Sequence, residues 1–377
     1  MECRKRKSEN CEFIDDYYYL DPLLNISEDL YEMIFQHFCC QTIKNVSVLN
    51  RHWYIATAMS KVCMKRIRLQ VDFKGPYLRQ DLNVFFNSIR KYINMHIFCP
   101  NYFNLTEDCI HIIRCHANTL INLEVWGMND DFSYRFQPLE LPKLETLQLV
   151  DMEANAGYAL LLRACSKLRV LNLLTSKYHP ALIECLTDNG SLKELHFSRD
   201  VAFNLLVTSA STFDFQLDKF VMKANVKEGY SDERFLRFVC KQRRLKILSL
   251  FGVAIEVALK LMNDLPMLEE LEYRSSPIRD YRPQTKCYPN SNIRILTFDS
   301  CFDSYSVLKN ILDACHNLEQ ITLHTVPVEL LNYIVITNMK LKRIYYKIDV
   351  DDVTQHAYLS LKLTNYDLNR DIIFIKY

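Results

Sequence analysis

Cys109, His111, Cys115 and His116 are the densest run of metal-capable side chains in this chain. Thiolates and imidazoles hold structural zinc, but only when four of them converge tetrahedrally on one ion. On a helix each residue turns by about 100°, so these four spread around the axis and cannot converge. Other chemistries lack their residues as well. No Cys-x-x-Cys pair occurs, and 6 glycines leave neither a phosphate-cradling loop nor a dinucleotide fingerprint. No serine or cysteine stands in a nucleophile motif beside a recognisable base. The sequence therefore predicts no catalytic residue, no metal and no cofactor, and any function has to lie in binding surfaces.

What positions such surfaces is a repeated phrase, Leu-x-x-Leu-x-Leu. Its clearest copies are Leu144, Leu147 and Leu149, then Leu168, Leu171 and Leu173, then Leu192, Leu195 and Phe197, each 24 residues after the last. Upstream, with substitutions, it recurs at Met64, Ile67 and Leu69, at Tyr92, Met95 and Ile97, and at Leu120, Leu123 and Val125. Downstream it opens at Leu217, Leu245, Leu268, Ile293, Leu318 and Leu341, so 12 rungs follow one another at intervals of 23 to 28. This is a leucine-rich-repeat period. The last two apolar residues of a rung are two apart, so in a strand they share one buried face and the residues around them face outward. Helical spacing fills the stretches between, as at Tyr158, Leu161 and Leu162, or Val307, Ile311 and Leu312. One strand and one short helix cannot enclose a core, whereas stacked repeats can. The expectation is an α/β solenoid.

Composition narrows the partners. A net charge of +1 gives no electrostatic case for nucleic acid or a membrane surface. No apolar run approaches the ~18 residues of a membrane span, and the basic run Arg4 to Lys7 is not followed by a secretory apolar region. A cytoplasmic and/or nuclear protein is expected, with reduced thiols, so the 14 cysteines read as small core residues and not as a disulfide framework. The basic run itself is of the kind that serves as a nuclear signal. The expected organisation is a tail over 1–22, a helical unit over 23–62, about 12 repeats over 63–350, and a cap over 351–377 ending in a strand at Ile372 to Ile375.

In the helical unit, Ser27 is placed to cap a helix whose first turn carries Glu28 and Asp29 and whose apolar side carries Leu30, Met33, Ile34 and Phe38. A second helix is expected over 41–49 and a third over 50–59. This segment resembles an F-box. Ile26 and Ser27 stand at its Leu-Pro, Glu28 and Asp29 at its acids, Leu30 at an aliphatic, Ile34 and Phe35 at its Ile-Phe, Phe38 at the next hydrophobic, and Arg51, His52 and Trp53 at its closing Arg-x-Trp. The 17 residues between Phe35 and Trp53 agree with the family spacing. Ser27 replaces proline and Tyr31 an aliphatic.

An F-box ahead of leucine-rich repeats is the layout of substrate receptors in SCF-type ubiquitin ligases. The resemblance implies that Ile26, Ser27, Leu30, Ile34, Phe35, Phe38 and Trp53 dock on a Skp-family adaptor, which links to cullin and RING subunits. The solenoid would then hold a target protein on its concave face, where the register points Trp126, Gln148, His196, Phe251, Glu272, Arg274 and Tyr345 outward. Trp126, Phe251 and Tyr345 are of the type enriched at interface hot spots. The competing expectation is a leucine-rich-repeat scaffold or signalling adaptor outside any ligase, with residues 26–53 as a helical cap.

Overall fold

The computed structural model describes residues 26–73, 86, 88–99, 106–127, 138–208, 213–223, 233–274, 288–290, 292–299, 305–324, 333–334, 340–347 and 373–376. The tail 1–22 with its basic run, and most of 351–377, lie outside these residues. The chain divides into two compact units, one Met1–Arg68 with Ser88–Tyr92, the other Leu69–Asn87 with Ile93–Tyr377.

In the first unit four helices are described: α1 (Glu28–Phe35), α2 (Cys40–Ser47), α3 (Arg51–Met59) and α4 (Lys61–Arg66). Phe35, Ile43, Cys63, Ile67 and Tyr31 form its core, with Ile26, Ile34, Phe38 and Trp53 packed against them. Trp53 meets Tyr31 edge-on at 5.7 Å and Phe35 at 6.3 Å. Tyr31, where an aliphatic was expected, buries its ring in this cluster while its hydroxyl shares a 2.7 Å hydrogen bond with His52 Nε2.

Two local expectations change. Ser27 does stand at the N-cap of α1 but makes no side-chain cap bond; its carbonyl accepts the amides of Leu30 and Tyr31 instead. The fourth helix, α4, runs across the expected boundary and takes in residues 63–66, which the sequence assigned to the first repeat. It is held from a distance: Glu32 on α1 accepts the amides of Lys61 at 2.7 Å and Val62 at 3.1 Å, and the Ser60 hydroxyl at 3.0 Å. The local signal was Ser60, the N-cap of α4, whose hydroxyl accepts the Cys63 amide at 3.1 Å, whereas the Glu32 contacts come from 28 to 30 positions away and could not be read locally.

Among the described residues the second unit contains a sheet of thirteen strands in strict chain order, β1 (Arg68–Asp72) beginning at the unit boundary. They continue as β2 (Asn94–Phe98), β3 (Asn122–Trp126), β4 (Thr146–Val150), β5 (Val170–Leu173), β6 (Glu194–Ser198) and β7 (Lys219–Lys223). Then come β8 (Ile247–Phe251), β9 (Glu270–Arg274), β10 (Ile295–Asp299), β11 (Gln320–His324), β12 (Arg343–Lys347) and β13 (Ile373–Lys376). From β2 to β13 the pairing is parallel and in step with the rungs: Leu147 aligns with Leu171, which aligns with Leu195, then Phe220, then Leu248. These rung residues are essentially without solvent exposure. The last strand, Ile373–Lys376, overlaps the run read as a strand at Ile372 to Ile375, one residue further on at each end.

Helices occupy the connections, α5 (Thr106–His116) before β3, then α6 (Ala156–Arg163), α7 (Ala181–Thr187), α8 (Arg199–Thr208), α9 (Glu233–Cys240), α10 (Ile255–Asp264) and α11 (Tyr305–Ala314). Parallel neighbours joined in one hand place crossover helices on the same face, and on the described strands the other, open face carries the half-buried positions that alternate with the buried rungs. Leaving the sheet calls for a left-handed backbone just after some strands: Gly127, Asp151 and Gly252 all have positive φ there.

One rung is misregistered in the sequence reading. Met64 lies on α4, and the buried alternating pair of β1 is Leu69 and Val71, not Ile67 and Leu69. A helix running straight into a strand offers two overlapping apolar patterns, and the helix claims Met64. The rungs at Tyr92 and Leu217, the least regular in spacing, fall in register on β2 and β7.

Candidate functional site

On the open face the register lines up a central row that runs His96, Glu124, Gln148, Asn172, His196, Val221, Ser249, Glu272, Thr297, Thr322, Tyr345. Three stretches of it have distinct chemistry.

At β2 to β4 the focus is Glu124. Trp126 Nε1 donates to Glu124 Oε1 at 2.6 Å, and Gln148 Nε2 donates to the same oxygen at 3.4 Å. His96 Nε2 lies 4.0 Å from it. The indole, one row over, lies between the His96 ring at 6.0 Å and the Phe98 ring at 6.2 Å, half-buried. With its N–H engaged, the indole offers mainly ring surface to a partner.

At β8 and β9, Arg274 places its guanidinium 5.3 Å above the Phe251 ring and donates from Nε and Nη2 to Glu272 Oε1 at 2.9 and 2.8 Å. Stacking and pairing together hold the arginine flat. The result is an aromatic with an ordered, half-neutralised cation on top.

Between them lies a lower floor. Val221 and Ser249 belong to the outward row yet are buried, Ser249 with only 4% exposure. Short side chains between His196 and Glu272 sink below their longer neighbours. Strict alternation predicts an exposed residue here, so sequence reasoning missed Val221, and a short residue flanked by long ones is the signal that finds it. His196 has a 15% exposed side chain, its Nε2 makes no hydrogen bond, and Glu194 lies 3.8 Å away. Burial, with help from Lys219, pushes its pKa down to about 4, so the ring is neutral at physiological pH. Glu270 is shifted up by burial and then by Glu272, against Lys219. Tyr345 is half-buried on β12, opposite Thr322.

The helical unit carries the second candidate surface. Phe35 is wholly buried; Ile26, Ile34, Phe38 and Trp53 are half-buried and pack on the core; Ser27 and Leu30 are exposed. Besides Leu30, at 43% exposure, the unit exposes Met33 at 59%, Val48 at 81%, and Leu49, Ile55 and Met59. Met33 was read from sequence only as part of the apolar side of the first helix, and none of these five was assigned to the adaptor surface. Their signal is an excess of apolar residues over what one helical stripe can bury.

The metal-capable run on α5 does not converge: Cys109 and His116 are buried, His111 is exposed against Phe86, and Cys109 faces Cys99. Among the described residues no group of three or more potential ligands could hold a metal ion, and no helix is long and apolar enough to cross a membrane.

No protein-family model matches the chain, and no curated protein matches it. Among solved structures, a leucine-rich-repeat protein of Leptospira interrogans is similar at 13% identity and a TM-score of 0.23, covering 78% of this chain and 99% of that one.

Proposed function

We propose that this chain is a non-catalytic substrate receptor of an SCF-type ubiquitin ligase. The helical unit docks on a Skp-family adaptor, and through it on cullin and RING subunits, while the open face of the solenoid holds the target protein. The observation that carries the reading is the exposure of six large apolar residues, Leu30, Met33, Val48, Leu49, Ile55 and Met59, on one small helical unit. Exposed apolar residues in excess of what a surface normally carries mark protein contacts, and these six occur on the segment that resembles an F-box. Ile26 and Ser27 border this surface by sequence, whereas Phe35 supports it from within.

The receptor's contribution is positioning. Holding a target beside a charged conjugating enzyme turns a bimolecular encounter into a local one and raises the effective concentration of its lysines. No bond chemistry is asked of this chain, and the work belongs to the cytoplasm or nucleus. On the open face, Trp126 and the Phe251–Arg274 stack are the anchors that would meet the target.

A leucine-rich-repeat scaffold or signalling adaptor outside any ligase is the second reading. It is favoured by Ser27, which stands where the resemblance has proline and makes no side-chain cap bond.

Co-expression of the tagged full chain with a Skp-family adaptor tests the first reading. The two should co-elute through gel filtration, and a Leu30→Asp, Met33→Asp variant with unchanged circular dichroism should lose the adaptor. Wild-type chain that elutes without adaptor sinks the proposal and leaves the scaffold.

A further inference from the structure

We infer that Cys99 and Cys109 form a reversible disulfide site, closed by a peroxide-class oxidant, at the strand end beside Trp126. Their sulfurs lie 3.0 Å apart and both thiols are free. A disulfide bond is ~2.05 Å long, so each sulfur has to move by only about 0.5 Å to form one. Cys99 follows β2 directly, and its amide donates to the Trp126 carbonyl at 2.9 Å. Cys109 lies on α5, whose helical backbone fixes it. Both sulfurs are thus held by ordered elements. The bond would tie the end of β2 to α5 next to Phe98 and Trp126.

The Cys99 thiolate attacks one oxygen of hydrogen peroxide, breaks the O–O bond and expels hydroxide, giving a sulfenic acid. The Cys109 thiol then attacks that sulfur, its proton passing to the departing hydroxyl, which leaves as water as the S–S bond forms. Two sulfurs lose two electrons, two peroxide oxygens gain them, and the two thiol protons leave as part of two waters. Cys99 attacks first because it retains 4% exposure where Cys109 has 0%. Burial also pushes the Cys109 thiol well above its ordinary range, with Cys99 adding to the shift, so Cys109 is the resolving partner. A small dithiol reductant reverses the bond by exchange.

This inference does not depend on the ligase reading, and its test needs no partner. Full-length reduced chain is freed of reductant, exposed to graded hydrogen peroxide, denatured in N-ethylmaleimide and mapped by non-reducing peptide mass spectrometry. The expected product is a peptide pair joined through Cys99 and Cys109, two hydrogens lighter than its parts, that disappears on treatment with dithiothreitol. In Cys109→Ser the sulfenic acid on Cys99 should persist and be trapped by dimedone, and in Cys99→Ser the Cys109 thiol should stay alkylatable. The inference is overturned if, at a peroxide dose that oxidises the exposed Cys39, wild-type Cys99 and Cys109 are both alkylated, singly over-oxidised, or joined to other cysteines. Should either serine variant fail to fold, the wild-type map decides alone.

Discussion

Glu32 and Arg66 cap each other's helices. The Glu32 carboxylate, on α1, takes the first amides of α4, while Arg66, the last residue of α4, donates to the Gln36 carbonyl at 2.7 Å, to Phe35 at 3.2 Å and to Phe38 at the end of α1. Free amides at one helix start and free carbonyls at another helix end are both satisfied, each by the opposite charge. A unit of four short helices with a small core depends on such ties.

Glu32→Gln keeps the shape but removes the charge, and Glu32→Ala removes the acceptor. Loss of a cap costs about 1–2 kcal/mol, so Glu32→Ala should destabilise the helical unit by that amount and Glu32→Gln by less. Native-state hydrogen exchange at the Lys61 and Val62 amides reads it. Unchanged protection in Glu32→Ala would refute the cap.

Trp126 should matter to capture and not to folding. Its ring is half-buried on the open face and its N–H is held by Glu124. Trp126→Ala should leave the chain folded by circular dichroism, because the ring lies on the half-buried face and not among the rung leucines, and should remove targets from a proximity-labelling profile taken with the ligase inhibited. Trp126→Phe, which keeps ring surface, should restore part of that profile. A profile unchanged by Trp126→Ala removes the residue from the target surface.

The ladder supports a contrasting prediction. Leu171 is buried between Leu147 and Leu195, so Leu171→Ala should cost about 2–5 kcal/mol. Because each repeat contacts only its neighbours, the loss should appear in hydrogen exchange mainly at β4 to β6, with β10 to β12 spared. Gln148→Ala on the open face should cost under about 0.5 kcal/mol.

His196 gives the protein a defined acid sensitivity. Its folded pKa of about 4 lies below the ordinary 6.5, so the unfolded chain takes up the proton first. Above about pH 6.5 this contributes nothing; as pH falls toward about 4 it destabilises progressively, by about 2 kcal/mol at pH 5 and up to about 3 kcal/mol below the folded pKa. Lys219 adds to the depression, and Glu194, 3.8 Å from the ring, is the nearby carboxylate. Denaturant melts at pH 7 and 5 should differ less for His196→Gln than for wild type. Equal losses would show that His196 is not the sensor.

Most of the sheet was legible because a strand's alternation and a 24-residue return act on the same leucines. Leu147, Leu171 and Leu195 each specify a buried position and a repeat at once. The misread first rung shows the limit: Met64 satisfies the phrase but also the stripe of α4, and only packing decides. Long-range satisfaction was invisible for a different reason. Glu32 reads as one more acid on α1, since nothing local says that its partners are amides 29 and 30 positions on. On the open face, outward direction could be read for Trp126, Phe251 and Arg274, but depth could not. Ser249 and His196 sink because of the lengths of their neighbours on adjacent strands, a relation that one strand's pattern does not contain.

The central claim is that the helical unit docks on a Skp-family adaptor, and calorimetric titration of purified adaptor into the full chain tests it most directly. The account predicts saturable one-to-one binding with a Kd at or below about 1 μM, near −8 kcal/mol, weakened at least about tenfold by Leu30→Asp with Met33→Asp. Absence of saturable binding by folded wild-type chain up to about 100 μM adaptor, about −5.5 kcal/mol, would contradict it.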